Sequence, residues 1–242
     1  MTQLLISVKN IEEAMLVLLA DVDMIDLKEP SVGALGALDL NISRQIVQLV
    51  SGRRPISATV GEHHVSSQAL ILDIQERAAI GVDIIKIAVS DFFYELDFID
   101  EVVKLSHAGI KIVAVFFADG AIDLTLLPKL QQAGFYGAML ETQYKQNDLL
   151  NLQTKQALHL FTQRCHQHQL ICGLAGSLKP QHIDVLLETN PTYIGFRGGV
   201  CDDLDRKSGL NQAKLVQVQN MLRNGNKNNI NPHLILGLAL HS

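Results

Sequence analysis

The sequence predicts one (β/α)8 barrel, the TIM-barrel architecture, in which eight parallel strands alternate with helices. Three observations predict it. Strand-like and helix-like segments alternate eight times along the chain, which indicates a parallel sheet with right-handed crossovers. The chain has 242 residues, close to the roughly 250 typical of one such barrel. The first strand also lacks the Gly-x-Gly-x-x-Gly turn that usually marks the nucleotide-binding form of the alternative fold, an open doubly wound sheet.

The predicted strands are short apolar runs bounded by turn residues. They cover residues 4–8, 24–27, 55–60, 83–89, 111–117, 136–140, 170–174 and 193–196. The first predicted helix begins after Asn10, a residue type that caps helix N-termini, and others end at glycines such as Gly81 and Gly109. The remaining helices are predicted at residues 43–50, 68–80, 96–107, 124–133, 152–168, 180–188 and 211–223.

One barrel domain is predicted for residues 1–223, because no linker or change of composition interrupts the alternation. Residues 224–242 are predicted to form a polar linker and a C-terminal tail, since the linker begins Asn-Gly-Asn-Lys-Asn-Asn. Residues 234–240 of that tail are apolar again. Two alternatives stay open for them: packing on the barrel, or packing on a neighbouring subunit of a homo-oligomer.

Composition and charge exclude several classes of protein. The formal net charge of −5 gives no basic footprint for nucleic acid. No apolar run approaches the roughly 18 residues of a membrane-spanning helix. The N-terminus lacks the basic region of a signal peptide, and the three cysteines show no metal-ligand spacing. We therefore expect a cytoplasmic protein with free thiols, no metal site and no membrane or nucleic-acid partner.

The second predicted strand carries two opposite charges on one face. Side chains alternate across a strand, so Asp26 and Lys28 share one face while Ile25 and Leu27 share the other. Burying such a pair is costly, and Pro30 ends the strand just beyond it. The pair therefore lies near the C-terminal end of the strand, where parallel α/β proteins build their sites. A purely structural ion pair is the alternative.

Two further strands carry charge near the same end. Lys86 lies in the fourth strand between two isoleucines, Glu141 closes the sixth strand, and Lys145 follows four residues later. Alternate strands of a barrel contribute to the same interior layer, so these charges are predicted to meet those of the second strand. Apolar residues would stabilise that layer as well or better, which favours a catalytic role over a structural one.

The seventh and eighth strands are followed by glycines. In many barrels the loops at these two positions bind a phosphate through backbone N–H groups. Glycines let the backbone approach the oxygens, and a serine or an arginine can donate to them. Glycines that serve plain turns are the alternative. The loop positions predict a phosphate site made of Gly176, Ser177, Arg197, Gly198 and Gly199.

Several motifs together carry a family resemblance. They are Ile25-Asp26-Leu27-Lys28-Glu29-Pro30 followed by Gly33-x-x-Gly36, Ser57-Ala58-Thr59-Val60-Gly61, Ile85-Lys86, Ala138-Met139-Leu140-Glu141-Thr142, Leu174-Ala175-Gly176-Ser177 and Gly195-Phe196-Arg197-Gly198-Gly199-Val200-Cys201. In this order, from about residue 3 to residue 222, the chain resembles the (5-formylfuran-3-yl)methyl phosphate synthase family of methanofuran biosynthesis. The resemblance implies a class I aldolase-like barrel. It also implies condensation of two glyceraldehyde 3-phosphate molecules into a furan aldehyde phosphate, with loss of one phosphate and water.

The resemblance also implies roles for single residues. Lys28 takes the position of the Schiff-base lysine, Lys86 that of the acid/base lysine, and Asp26 that of the neighbouring aspartate. Glu141 stands where archaeal members carry an aspartate, and Lys145 matches the lysine four residues on. No metal or organic cofactor is expected, because the imine is itself the electron sink.

Elementary chemistry agrees with this assignment. A lysine must be neutral to attack a carbonyl, and a second cation nearby favours the neutral amine. Lys28 lies at the mouth of its strand, whereas Lys86 is predicted to lie deeper. Two rival functions stay open: another Schiff-base aldolase of phosphorylated sugars, and a barrel that only binds a phosphorylated metabolite.

Overall fold

The structure is a computed structural model and describes residues 1–228. Eight parallel strands close into a barrel in sequence order, which confirms the predicted fold. The strands are β1 (Gln3–Val8), β2 (Met24–Leu27), β3 (Ile56–Thr59), β4 (Ile84–Ala88), β5 (Lys111–Phe117), β6 (Gly137–Glu141), β7 (Ile171–Leu174) and β8 (Tyr193–Phe196). β1 pairs with both β2 and β8, so no strand edge stays open.

The described helices cover the outside of the barrel. They are α1 (Ile11–Leu19), α2 (Leu40–Val50), α3 (Ser67–Ala79), α4 (Leu96–His107), α5 (Leu126–Gln132), α6 (Leu149–Leu152), α7 (Lys155–Gln167), α8 (Ile183–Leu187) and α9 (Gln212–Asn228). Asn10 caps α1 as predicted, since its side chain accepts a hydrogen bond from the N–H of Glu13. α4 has the predicted bounds.

Two helix predictions need correction. The helix predicted at residues 152–168 begins later, at Lys155, because the Thr154 side chain accepts the N–H of Ala157 and caps α7 there, whereas Leu152 ends the separate short helix α6. The helix predicted at residues 180–188 begins with a 3₁₀ turn at Pro180–His182, and α8 follows it.

The C-terminal boundary is also corrected. The sequence predicts that the last helix ends at residue 223, but α9 continues to Asn228 because its last turns are tied to the barrel. The Thr2 N–H donates to the Asn226 side chain (3.0 Å), and the Asn226 amide donates back to the Thr2 carbonyl (2.8 Å). Residues 224–228 are therefore helical and not part of a polar linker. The rest of the predicted tail, including residues 234–240, lies outside the described residues.

Two apolar layers enclose the strands. The outer layer packs between strands and helices and contains Ile25 and Leu27, as the alternation predicted. The inner layer fills the floor of the barrel with side chains such as Met24 and Tyr193. The Tyr193 ring occupies space that a side chain at position 173 would need, since a Cβ on Gly173 would lie 2.3 Å from the ring. The upper part of the interior is left for polar side chains.

The three cysteines are buried free thiols, as the sequence predicted. None of the helices within residues 1–228 has the length and apolar character needed to cross a membrane.

Candidate active site

A cavity of ≈ 380 Å³ opens at the C-terminal ends of the strands. Every predicted site residue lines it, and these are Asp26, Lys28, Lys86, Glu141, Lys145, Gly176, Ser177, Arg197, Gly198 and Gly199. The structure thus brings together residues that are spread over most of the sequence.

Asp26 and Lys86 form a buried ion pair at the bottom of the cavity. The Lys86 Nζ atom lies 2.5 Å from Asp26 Oδ1, and the two side chains are 2% and 1% exposed. Ser7 and Ser57 stand in register with Asp26 on the neighbouring strands. Their hydroxyls donate to the carboxylate at 2.8 Å and 2.7 Å. These bonds stabilise the ionised carboxylate, as a buried charge requires.

Burial lowers the pKa of Lys86, since the charged amine is removed from water. The Asp26 carboxylate opposes this shift, and the charge of Lys28 adds to it. Lys86 therefore gives up its proton more readily than a surface lysine does. An amine of this kind, held against a fixed carboxylate, is suited to moving protons.

Lys28 and Lys145 share a second carboxylate nearer the mouth. The Lys28 Nζ atom lies 3.2 Å from Glu141 Oε2, and the Lys145 Nζ atom lies 2.7 Å from Glu141 Oε1. Lys28 lies one residue beyond the end of β2, and its N–H still donates to the Val8 carbonyl of β1. Lys86 lies within β4, whereas Lys28 lies past the end of β2, so Lys86 is the deeper lysine, as predicted.

The Glu141 carboxyl is strongly biased towards its charged form. Burial disfavours ionisation, but the charges of Lys145 and Lys28 outweigh it and hold the pKa of Glu141 well below its usual range. Burial, helped by the charge of Lys28, lowers the pKa of Lys145 to about 8, although Glu141 opposes the shift. Near neutral pH the group at the mouth is thus an anion between two lysines.

The low pKa of Lys145 predicts a pH dependence of stability. Between the folded pKa of about 8 and the unfolded value of roughly 10.4, the unfolded chain binds the additional proton. The free energy of unfolding of the wild type should therefore rise relative to that of Lys145→Met as the pH increases from 8 to 10. Urea unfolding across this range measures the difference. Lys207→Met, at an exposed lysine, should show no such slope, and a flat difference for Lys145→Met would contradict the shift.

The loops after β7 and β8 meet beside these charges. Gly176 and Ser177 have positive φ angles of 116° and 49°. A Cβ on Gly199 would lie 2.1 Å from the Leu178 carbonyl oxygen, so only glycine lets the two loops approach this closely. Within the described part of the chain, the N–H groups of Ser177, Gly198 and Gly199 donate to no backbone acceptor. All three residues line the cavity.

Gly199→Ala should push these two loops apart. The new methyl group would clash with the backbone of Leu178, which is less able to move than a side chain. We expect a loss of roughly 1–3 kcal/mol in the free energy of unfolding, as for other overpacked sites, and weaker binding of inorganic phosphate in calorimetry. Gly209→Ala is the matched control, since no atom lies within 4 Å of the position that its Cβ would take. Equal behaviour of the two variants would contradict the close approach.

The structure does not support the predicted phosphate role of Arg197. Its guanidinium donates to both carboxylate oxygens of Glu13 in α1, at 2.5 Å and 3.1 Å. It also donates to the carbonyls of Ser7 (3.1 Å), Arg206 (2.8 Å) and Ser208 (2.9 Å). These five bonds use all the N–H donors that an arginine has. Arg197 is thus a buried structural cation, because its charge is paired with that of Glu13 on α1.

Three residues of the cavity did not emerge as site residues from the sequence. The Ser7 hydroxyl donates to Asp26. The sequence feature that could have identified Ser7 is its inward position on β1, two residues after Leu5. Lys179 and Arg206 line the cavity from the loops after β7 and β8. The signal for Arg206 is a cluster of charges after the eighth strand, Asp202-Asp203-Leu204-Asp205-Arg206-Lys207.

A known protein family matches most of this chain. The family model described as 4-HFC-P synthase matches residues 4–219. A protein of Methylorubrum extorquens, to which (5-formylfuran-3-yl)methyl phosphate synthase activity is provisionally assigned, is 38% identical over 92% of each chain. The (5-formylfuran-3-yl)methyl phosphate synthase of Methanosarcina acetivorans is 33% identical over 87% of this chain and 94% of its own.

Solved structures show the same architecture at low sequence identity. The 3-hexulose-6-phosphate synthase of Salmonella typhimurium superposes with a TM-score of 0.67 at 14% identity, over 93% of this chain and all of that one. At this identity the likeness concerns the fold alone. The family match, in contrast, spans the strands and loops that build the cavity, and the chain belongs to the 4-HFC-P synthase family.

Proposed function

We propose that this protein is a (5-formylfuran-3-yl)methyl phosphate synthase that condenses two molecules of glyceraldehyde 3-phosphate through a lysine Schiff base. The names of the family and of its relatives support the product. The observation that carries the mechanism is the arrangement of two lysines in one cavity. Lys28 lies at the mouth beside Glu141, and Lys86 lies below it against Asp26.

Lys28 is the proposed nucleophile. Its amine attacks the carbonyl carbon of the first triose phosphate, water leaves, and an imine forms. The imine draws electrons from the neighbouring carbon, so a C–H bond there becomes acidic. Lys86, with its lowered pKa, accepts that proton and returns it later, while Asp26 holds the amine in place. The resulting enamine carbon attacks the aldehyde of the second triose phosphate and forms the new C–C bond.

The remaining steps remove water and phosphate. Two molecules of C3H7O6P balance as the furan product C6H7O6P, one phosphoric acid and two waters, so no oxidant or reductant is needed. Glu141 and Lys145 lie together at the mouth, where leaving groups have to be protonated. Lys145, with its pKa of about 8, can give a proton to a leaving oxygen and regain it near neutral pH. The loops around Gly176 and Gly199 are proposed to hold a phosphate.

Mass spectrometry after incubation with glyceraldehyde 3-phosphate alone tests the proposal. We expect the furan aldehyde phosphate and one inorganic phosphate per product, and we expect a covalent adduct when borohydride is added. Another Schiff-base aldolase would give the adduct with a different sugar phosphate. A barrel that only binds the metabolite would give neither adduct nor product. Either of these outcomes would overturn the proposed function.

A further inference from the structure

The loop after β8 is a closed structure with fixed ends. Cys201 and Leu210 form an antiparallel bridge, and the Asp202 N–H donates to the Gly209 carbonyl at 3.0 Å. The loop between them reaches over the cavity, since Leu204, Asp205 and Arg206 all line it. Its backbone lies against the glycines that follow β8, because a Cβ on Gly198 would be 3.2 Å from the Leu204 carbonyl oxygen.

Arg197 fixes this loop from below. Its Nε donates to the Arg206 carbonyl and its Nη2 donates to the Ser208 carbonyl, at 2.8 Å and 2.9 Å. The other side of the same guanidinium is held by Glu13. The Arg197 guanidinium, whose N–H groups are all bonded, therefore positions the part of the loop that contains Arg206.

The Arg206 side chain lines the cavity and reaches the loop after β2. Its Nη2 donates to the Gly33 carbonyl in the loop after β2, at 2.5 Å. Within residues 1–228 the Gly33 carbonyl is the one acceptor bonded to this guanidinium, so four of its five N–H donors have no protein partner, and the residue lines the cavity. Burial lowers the pKa of Arg206 and Glu141 opposes the shift, but a guanidinium stays protonated at neutral pH.

The charge around Arg206 suits an anion. Apart from Arg197, whose charge is paired with Glu13, five cationic side chains and four carboxylates line the cavity, and these are Lys28, Lys86, Lys145, Lys179 and Arg206 against Asp26, Glu141, Asp148 and Asp205. A phosphate is recognised best by a planar guanidinium that donates two parallel hydrogen bonds. Arg206 has donors to spare for such a contact, whereas Arg197 has none.

We propose that Arg206 is the side chain that binds a substrate phosphate, together with the backbone of Ser177, Gly198 and Gly199, and that Arg197 is its positioning residue. This inference rests on the proposed function and names the phosphate ligand of that site. The guanidinium joins the loops after β2 and β8, and it lines the same cavity as Lys28 and Glu141.

Binding of inorganic phosphate, measured by calorimetry, tests the inference without any turnover. Arg206→Gln should weaken phosphate binding by roughly 10- to 150-fold, the loss that corresponds to one charged hydrogen-bonding partner. Arg206→Lys should recover part of the affinity, because it keeps the charge and loses the planar fork. Lys207→Gln, at the exposed neighbour, should bind phosphate like the wild type.

A second readout separates phosphate binding from a purely structural clasp to Gly33. The rate of borohydride trapping is compared for glyceraldehyde 3-phosphate and for glyceraldehyde, which has no phosphate. Arg206→Gln should raise the half-saturating concentration of the phosphorylated compound at least about tenfold and leave that of glyceraldehyde unchanged. Equal effects on both compounds, or unchanged phosphate affinity, would overturn the inference. If phosphate affinity depends on Arg206 but no furan product forms, the proposed function fails and the phosphate site stands.

Discussion

Replacing Lys28 by arginine should abolish both turnover and covalent labelling. A guanidinium stays protonated and cannot form an imine, although it keeps the positive charge beside Glu141. Borohydride is added to the enzyme with glyceraldehyde 3-phosphate, and peptide mapping locates the reduced adduct. In the wild type we expect the adduct on Lys28. Product formation by Lys28→Arg should fall below detection.

Lys86→Arg separates the two lysines. Its turnover should also be lost, because an arginine cannot exchange protons at neutral pH, but some label should remain on Lys28. Lys104→Arg on the surface of α4 is the control and should retain both activities, since its side chain is 68% exposed. An adduct mapped to Lys86 or to Lys145 would falsify the assignment of the nucleophile while leaving the imine mechanism in place.

Arg197→Met should destabilise the protein. The substitution leaves the Glu13 carboxylate buried without its partner, since the two side chains are 7% and 6% exposed in the pair. Breaking a buried pair from one side typically costs about 3–5 kcal/mol. Urea unfolding should show this loss as a lower midpoint, measured at fixed protein concentration.

Matched variants identify the source of that loss. Glu13→Gln should also be destabilised, because it leaves the guanidinium without its counter-charge. Replacing both by apolar residues should recover much of the stability. Lys104→Met removes one partner of the exposed pair with Glu101 and should change the unfolding free energy little. If Arg197→Met unfolds like the wild type, the structural role of its pair with Glu13 is wrong.

The sequence predicted the charged interior because one local rule decides it. Side chains alternate along a strand, so the inward position of Asp26 fixes that of Lys28, and the same rule places Lys86 and Glu141. The outward isoleucines and leucines confirm the phase of each strand. Closure of the barrel then brings the inward charges together without any further information from the sequence.

The alternation of side chains along a strand predicts nothing about the loops. Whether Arg197 or Arg206 faces the cavity depends on Glu13, which lies 184 residues away from Arg197 in the sequence and becomes its neighbour only through folding. The end of α9 also depends on a partner that is distant in the sequence. Its polar composition suggested a loose linker, and the bonds between Asn226 and Thr2 stabilise the helix instead. Long-range partners of this kind leave no local pattern.

The contact between Thr2 and Asn226 has a consequence for biosynthesis. These residues are 224 positions apart, and a ribosome that adds roughly 5–20 residues per second needs roughly 10–45 s to make the chain between them. Throughout most of this interval β1 has emerged while β8, its second neighbour, does not yet exist. The nascent chain therefore presents an open strand edge, a surface on which other chains can pair. Completion of β8 is therefore the step that removes this edge, because it supplies the second neighbour of β1.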